Sequence, residues 1–400
     1  MASATWRNWS GSVAAHPRTS HYPRSEDELA ALVRRLRQRS GCARVVGTGH
    51  SSTGIVEAQD ALISLRQYKG VITVDRARRR ATVRAGTPLD ELGEALYAHD
   101  LALPNLGDVA TQTIGGAVGT GTHGTGRRLH NLSQMMIAVR LVDGDGNLHE
   151  VGANEPHKLH SLRVSLGALG IFTDITLQLV RSYNIERREY AAGTDDVLKD
   201  CDRLMAENHS FDFYWYPRRD DCKIRLLNPP GGGTFDLPYA RLLDWHGGYG
   251  HQVIPTHSGI PHHFEECEYA VPAEDGVACF QAVRERVLDS WRSIVGWRVL
   301  FRTVAADDSD LSPAHGRDVV TLSLHQNSSL PWRDYFRDIE PIFLAYGGRP
   351  HWAKKHGLQA RDLAPRYPRW DHFLRMRERF DPAGTFLNRH LRELLGVTSA

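Results

Sequence analysis

Cysteine is scarce and irregularly spaced in this sequence of 400 residues. The five cysteines are an odd number, and no C-x-x-C pair occurs among them. This usage excludes a disulfide framework and a zinc site built from cysteines, and it fits a reducing compartment. The N-terminus lacks the apolar core of a signal peptide, and no apolar run is long enough to cross a bilayer. We therefore expect a cytoplasmic protein without a membrane partner.

A strong charge imbalance is also absent. The net charge is +2, and the basic clusters at 34–39 and 76–80 have acidic residues nearby. We expect these clusters to be solvated faces, and we expect no nucleic-acid partner. A recognised metal-ligand spacing is missing as well, because His262, His263 and Glu265 follow no known pattern. No metal is expected.

The chain changes character along its length. A capped helix over 25–41 leads into a short buried strand at 44–47, and more strands and a second helix follow. Residues 181–349 mix strands and helices, and their Gly-, Pro- and His-rich stretch 227–263 indicates a long irregular loop. The chain is long enough for two domains. This order predicts an α+β protein in which a short segment, 350–400, returns at the end.

Two glycine-rich segments lie within the first 130 residues. The first, GTGHSSTG at 47–54, is neither G-x-G-x-x-G nor G-x-x-x-x-G-K-[ST], so it predicts neither a nicotinamide Rossmann turn nor a Walker loop. The second, at 104–126, interleaves Gly and Thr with Ile and Val. Because glycine lacks a Cβ and tolerates positive φ, backbone N–H groups in both segments can approach a pyrophosphate. Together the segments favour one large dinucleotide between two small subdomains.

Four ordered motifs carry a resemblance to a known family. They are VVGTGHSST at 45–53, LALPNLGDVATQTIGGAVGTGTHGTG at 101–126, SLGALGIFTDITL at 165–177 and RPHWAKKH at 349–356. They resemble the FAD-linked oxidases of the vanillyl-alcohol-oxidase type, in the aldonolactone oxidase and alditol oxidase branch that includes gulonolactone oxidase. Residues 302–318 and 381–391 extend the match. The resemblance implies a two-subdomain FAD-binding domain at 1–180, an α+β substrate-binding cap domain at 181–349 with a sheet over the flavin, and a segment at 350–400 that completes the active site.

The resemblance also implies that FAD is the cofactor and that His50 carries it covalently through the flavin 8α-methyl group. A neutral imidazole nitrogen is a suitable nucleophile for that carbon. Most of the other residues implied in cofactor binding lie in the two glycine-rich segments or directly before the first: Val45, Val46, Gly47, Thr48, Gly49, Ser51, Gly107, Asp108, Thr113, Gly116, Thr120, Gly121 and Thr122. Ile171 is expected near the adenine. His123 is expected to be a structural histidine beside the cofactor and not a second attachment point.

On the substrate side, the resemblance implies cationic ligands at Arg302 and Lys354, which suit the stabilisation of negative charge on oxygen. The family carries glutamate two residues before the arginine, where this chain has Leu300. Two interpretations of His325 stay open: it supplies the missing base, or it is a hydrogen-bonding residue. Two also stay open for Asp108, which either hydrogen-bonds the substrate or favours a cationic one.

The predicted function is oxidation of a CH–OH group in a sugar-like substrate, with hydride transfer to flavin N5 and reduction of O2 to H2O2. Gly107 implies O2 as the acceptor, because the family uses alanine at this position to shield the flavin. The predicted partner is a small polyhydroxylated molecule: an aldonolactone, an alditol, or a modified or amino sugar. Two alternatives stay open: a flavin dehydrogenase with another acceptor, and a binding protein that has lost its flavin chemistry.

Overall fold

The computed structural model of the chain describes residues 5–256 and 263–397, so His262 lies outside the described residues. The first part of the chain contains short strands and helices. The strands are β1 (Trp6–Arg7), β2 (Ala14–Ala15), β3 (Thr19–His21), β4 (Ala43–Val46), β5 (Ala61–Ser64), β6 (Val71–Asp75), β7 (Arg80–Arg84), β8 (Leu101–Ala102), β9 (Met136–Val142), β10 (Leu148–Val151), β11 (Ile171–Gln178) and β12 (Val180–Arg181). The helices are α1 (Glu26–Gln38), α2 (Leu89–Tyr97), α3 (Ile114–Gly119) and α4 (Pro156–Arg163).

Two sheets organise this part. The parallel sheet has three strands in the order β3-β5-β4, and the antiparallel sheet has five in the order β10-β9-β11-β7-β6. Helix α1 begins where expected, because the Ser25 side chain accepts a hydrogen bond from the backbone N–H of Glu28 at 3.2 Å. Its buried Leu29 and Val33 share one hydrophobic core with Leu141 of β9. These sheets are the two subdomains that the resemblance implies.

The second part holds longer strands. They are β13 (Asn184–Gly193), β14 (Ser210–Tyr216), β15 (Asp221–Asn228), β16 (Arg241–Tyr249), β17 (Phe264–Pro272), β18 (Val299–Val304), β19 (Val319–Asn327) and β20 (Arg349–Pro350). The helices that follow in the chain are α5 (Thr194–Glu207), α6 (Gly250–Val253), α7 (Gly276–Ser290), α8 (Trp332–Ala345), α9 (Ala360–Leu363), α10 (Trp370–Phe380) and α11 (Arg389–Leu395).

One antiparallel sheet of eight strands dominates this part, in the order β16-β13-β15-β14-β18-β19-β17-β20. Because side chains alternate along a strand, its two faces differ in character. Phe213 of β14 and Phe301 of β18 stack at 4.8 Å in a second hydrophobic core, to which α5, α7 and α8 also contribute. The opposite face carries polar residues such as Asp212 and Arg302, which are also buried. The charged face is therefore the side of the sheet on which polar groups are available for binding or catalysis.

The end of the chain packs against the first part. Trp352, Phe373 and Leu391 belong to the same hydrophobic core as α1 and β9. The Asn388 side chain donates hydrogen bonds to the carbonyl oxygens of Gly54 and Glu57, at 2.7 and 2.8 Å. The mixed α+β class is confirmed, whereas the boundaries at 180/181 and 349/350 stay a prediction.

The prediction of an irregular loop over 227–263 is wrong for much of that stretch, because β16 and α6 lie in it. Strand β16 is at the sheet edge, and most of its residues are exposed on both faces, including Leu242 and Trp245. No alternation of apolar and polar residues was therefore available to reveal the strand. Among the described residues, no helix is both long and apolar enough to cross a membrane.

Candidate active site

A cleft with a cavity volume of about 330 Å³ lies against the charged face of the eight-stranded sheet. This volume is in the range of small-molecule and cofactor sites. The regions that line it include the turn after β4, the glycine-rich residues 107–123, strands β17 to β19, and the segment after β20. The two parts of the protein therefore contribute different walls of one site.

The turn after β4 presents backbone N–H groups to the cleft. Gly49 has a φ of +79°, which glycine adopts without strain. The N–H groups of residues 48–51 donate no hydrogen bond to any described residue. Successive N–H groups of this kind form a concave anion site, which suits a pyrophosphate. A Cβ added to Gly47 would collide with Thr113 Oγ1, so the two glycine-rich segments touch here.

Backbone also forms the wall beside this turn. Gly86 and Gly115 line the cleft. A Cβ on Gly86 would lie 2.6 Å from the carbonyl oxygen of Tyr68 and even closer to that of Leu65. A Cβ on Gly115 would lie 3.0 Å from the carbonyl oxygen of Ala85. Close-packed backbone leaves no room for side chains at these positions.

Gly86→Ala should therefore destabilise the protein. Its new methyl group has to displace backbone, so we expect the free energy of unfolding to fall by about 1–3 kcal/mol and the bound flavin content to fall with it. Gly152→Ala is the matched control, because its Cβ would be 3.5 Å from Asn154 Oδ1, an ordinary contact. Urea unfolding measures the stability of both purified variants, and flavin absorbance measures how much flavin each one binds. Equal stability of the two variants would contradict the close packing.

The His50 ring lines the cleft and is held by two neighbours. Its Nε2 lies 3.0 Å from Thr111 Oγ1, and Trp9 stacks on it with ring centroids 6.0 Å apart. Burial, together with the nearby Lys354 ammonium, lowers the pKa of His50 to about 4. The imidazole is therefore neutral at pH 7, which is the state that a nucleophilic nitrogen needs.

Asp108 joins one charged group on the sheet side of the cleft. Its carboxylate accepts hydrogen bonds from Arg302, from Arg225 at 2.9 Å and from the Tyr214 hydroxyl at 2.8 Å. Two guanidinium groups thus share this carboxylate, and Arg225 also binds Asp212 at 2.6 Å. The charge of Asp108 is therefore balanced inside the protein, and both interpretations of its role stay predictions.

Lys354, Glu266 and His325 form a second charged group. Lys354 Nζ donates to Glu266 Oε2, and His325 Nε2 lies 3.6 Å from Glu266 Oε1. Burial opposes ionisation of Glu266, but Lys354 and His325 outweigh it and lower the pKa of this carboxyl group. Burial lowers the pKa of His325 to about 4. A carboxylate is therefore present in the cleft although Leu300 stands at the family position, and it comes from β17.

His123, Glu268 and His351 form a third group. His123 Nε2 is 2.8 Å from Glu268 Oε1, and its Nδ1 is 2.8 Å from the carbonyl oxygen of Gly124. Both partners are hydrogen-bond acceptors, so each ring nitrogen of His123 faces an acceptor. Burial opposes ionisation of Glu268, but the pairing with His123 outweighs it and holds the pKa of Glu268 well below its usual range.

The same three side chains offer donor atoms within 4.8 Å of one another, which is a spacing compatible with a metal ion. However, the Ala353 N–H donates to His351 Nδ1 at 3.1 Å, so the ring hydrogen of neutral His351 is on Nε2. In this tautomer the Nδ1 lone pair is engaged by Ala353 and Nε2 carries the hydrogen, so neither nitrogen offers a free lone pair to a metal.

The neutral buried histidines make stability depend on pH. Burial lowers the pKa of both His325 and His351 to about 4, so between pH 6.5 and 4 the unfolded chain binds more protons than the folded one. Stability is therefore complete above pH 6.5 and falls as the pH drops, by up to about 1.4 kcal/mol per pH unit for each histidine. Urea unfolding at pH 7.5, 6 and 5 measures the slope.

A His351→Asn variant should show a shallower slope, by about 1.4 kcal/mol per pH unit. His99→Asn is the matched control, because this histidine is exposed, and it should leave the slope unchanged. Identical slopes in all three proteins would show that His351 is not buried in its neutral form.

The cleft brings together all the site residues predicted from the sequence except Gly121 and Ile171. The Ile171 side chain is fully buried in the first hydrophobic core, and its neighbours Gly170 and Phe172 line the cleft instead. Gly121, with a φ of +72°, turns the chain after α3 and lines a smaller adjoining cavity. The expected position of Ile171 near the adenine stays a prediction, since the residues on either side of it line the cleft. The roles of the residues in the cleft stay predictions.

Several residues of the cleft were not predicted from the sequence. They are Trp9, Glu266, Glu268, Arg298 and His351. One signal was present: in FEECEYA, acidic residues at positions two apart lie on one face of a strand.

A cleft with a backbone anion site on one side and ion-paired charges on the other suits a dinucleotide-dependent oxidoreductase. Comparison with known proteins is consistent with this class. Residues 17–152 match the FAD binding domain family, and residues 252–394 match the D-arabinono-1,4-lactone oxidase family. The chain is 33% identical to L-gulono-1,4-lactone dehydrogenase of Mycobacterium tuberculosis, over 98% of this chain and 100% of that protein. It is 26% identical to L-gulonolactone oxidase of Mus musculus, over 97% and 98%.

Among solved structures, cholesterol oxidase of Brevibacterium sterolicum has the same fold, with a TM-score of 0.87, 15% sequence identity, and coverage of 98% of this chain and 96% of that one. The chain belongs to the FAD-linked oxidoreductases of the vanillyl-alcohol-oxidase type, in the branch of aldonolactone and alditol oxidases. FAD is its cofactor.

Proposed function

We propose that this protein oxidises a CH–OH group of a sugar-like molecule to a carbonyl and passes the electrons to O2, which forms hydrogen peroxide. One observation carries the proposal: Arg302 with Asp108 and Lys354 with Glu266 line the same cleft as the backbone anion site at 48–51. The names of the relatives, a gulonolactone dehydrogenase and a gulonolactone oxidase, support a sugar lactone or a related polyol as substrate.

The cofactor fits the groups present in the cleft. Residues 45–51 would hold its pyrophosphate together with Thr113 and Gly116, and we propose that His50 forms the covalent bond to the flavin methyl group. The neutral state of His50 and its fixed ring support this role. When bound, FAD accepts a hydride from the substrate carbon and gives the electrons to the final acceptor.

The protein's own charges prepare the substrate for this step. Arg302 and Lys354 stabilise the negative charge that develops on the substrate oxygen as its proton leaves. Asp108 holds Arg302 in place, and burial of the pair strengthens the interaction with a bound hydroxyl. We also propose that residues 1–180 with 350–400 hold the cofactor and that residues 181–349 form the cap.

O2 is the proposed acceptor because Gly107 lines the cleft without a side chain. The name of the Mycobacterium relative favours a second candidate, a dehydrogenase with a different acceptor. The test is to offer aldono-1,4-lactones, alditols and amino sugars to the purified protein, in air with a peroxide assay and without air with an electron-accepting dye. We expect one equivalent of peroxide per product. Dye reduction without peroxide would establish the dehydrogenase, and no reaction in either assay would indicate a binding protein.

The variant Gly107→Ala tests directly whether the missing side chain at this position gives O2 access to the flavin. Its Cβ would lie 3.2 Å from the carbonyl oxygen of His123, a contact that a shift of a few tenths of an ångström relieves. We expect this variant to keep its reaction with the dye and to lose about tenfold in peroxide formation, which corresponds to about 1.4 kcal/mol in the oxygen step. An equal loss in both assays would contradict a specific role in oxygen access.

A further inference from the structure

The pairing of three strands places a carboxylate beside His325 that the family pattern does not provide. Strands β17 and β19 pair so that Glu266 lies directly opposite His325. On the other side of β19, Leu300 of β18 lies opposite Ser323. Cross-strand neighbours of this kind have side chains on the same face of the sheet. The carboxylate is therefore two strands away from the family position, and it faces the same cleft.

The hydrogen-bonding state of His325 is unusual for a buried side chain. Only 4% of the residue is exposed. Its Nε2 faces Glu266 Oε1 at 3.6 Å, and its Nδ1 has no hydrogen-bond partner among the described residues. A carboxylate on the Nε2 side favours the tautomer with hydrogen on Nε2, which leaves a lone pair on Nδ1. Buried polar atoms in native proteins are normally satisfied, so an unpartnered Nδ1 on a residue that lines the cleft points to a ligand.

We propose that His325 is the general base of the reaction, acting through Nδ1, and that Glu266 is its positioning residue, in place of the glutamate that Leu300 replaces. The proposal rests on the function proposed above. In the step, the substrate O–H bond breaks and its proton goes to Nδ1. The electron pair of that bond forms the C=O bond, and the hydride leaves the same carbon for the oxidised cofactor. The imidazolium that results is stabilised by the Glu266 carboxylate.

The charges around His325 are consistent with this role. Burial opposes its protonation most strongly, and Glu266 from β17 favours it. The cations Arg298, directly before β18, Lys354 after β20 and Arg302 of β18 also oppose it. The balance keeps the pKa of His325 low, so the ring is neutral and able to accept a proton at pH 7. Loss of the Glu266 charge would lower that pKa further.

The test is a double-mutant cycle on the holoenzyme with Glu266→Gln and His325→Gln. We expect His325→Gln to lower kcat about 100-fold and Glu266→Gln about 10- to 100-fold, with smaller changes in KM. The double variant should be no slower than His325→Gln alone, because Glu266 acts through His325. In Glu266→Gln the acid limb of the kcat profile should move to lower pH, which a merely structural role would not cause.

Glu265→Gln is the matched control. This glutamate is the neighbour of Glu266 on β17, is also buried, and does not line the cleft. It should leave the pH profile unchanged, and flavin content and unfolding temperature identify any variant that fails to fold. If Glu266→Gln fails to fold, Glu266→Asp takes its place. This variant keeps the carboxylate, so its kcat profile should retain the acid limb of the parent enzyme.

If the two substitutions lowered kcat independently, so that their factors multiplied in the double variant, the proposal would be overturned. Glu266 would then act with Lys354 and not through His325. An acid limb that does not move in Glu266→Gln would overturn it too. These outcomes require an active parent enzyme. If the parent reduces neither O2 nor the dye with any sugar-like substrate, the proposed function has failed, and with it the basis of this inference.

Discussion

His50→Ala should release all of its flavin into the supernatant when the protein is denatured with acid, whereas the parent chain should keep its yellow colour in the pellet. A carbon–nitrogen bond between the imidazole and the flavin methyl group survives unfolding, but noncovalent binding does not. The effect is all or none, because the described residues of the cleft include no cysteine as an alternative tether. The measurement is flavin absorbance in both fractions.

His123→Asn is the control for this experiment. His123 also lines the cleft, but Glu268 and the Gly124 carbonyl occupy both of its nitrogens, so it cannot attack a carbon. This variant should keep its flavin in the pellet. Release of flavin from the parent, or retention by His50→Ala, would remove His50 as the tether.

Arg302→Met should lower kcat/KM about 10²- to 10³-fold, a loss of about 3–4 kcal/mol in transition-state stabilisation. The guanidinium is buried and lines the cleft, so its charge acts on a substrate oxygen with little screening by water. Removal of the guanidinium also leaves the negative charge of Asp108 less fully compensated. The variant Arg302→Lys keeps a positive charge and should partly restore that compensation. Steady-state kinetics at several substrate concentrations separate kcat from KM.

Arg187→Met controls for loss of a buried arginine from the same sheet. Arg187 is also buried, donates to the carbonyl oxygen of Val253 at 2.5 Å, and does not line the cleft. Its substitution should affect stability more than turnover. If both variants lost activity equally, the effect of Arg302 would be one of folding.

The cofactor side of the site was predictable from the sequence because its groups lie close together along the chain. The turn after β4 is encoded by consecutive residues, and the positive φ of Gly49 needs only glycine. The composition of the second glycine-rich segment likewise indicates its role directly from consecutive residues. The family resemblance implied 16 individual cofactor residues, and 14 of them line the cleft, since only Gly121 and Ile171 do not.

The substrate side depends on strand order, which local patterns do not encode. Asp108 pairs with Arg302, which is 194 residues further on, and His123 pairs with Glu268, 145 residues further on. The role of Glu266 emerges only when β17 is known to pair with β19, because a shift of one residue would turn Glu266 to the opposite face. Edge strand β16 escaped detection for a related reason, since exposure on both faces removes the alternation that marks a strand.

The most direct test of the whole account is a crystal structure of the holoenzyme. We predict FAD in the cleft, with its pyrophosphate on the backbone N–H groups of residues 48–51, its ring bonded to His50, and the ring facing Arg302 and Lys354. A different dinucleotide in the cleft, or FAD with its ring far from these two cations, would contradict the account.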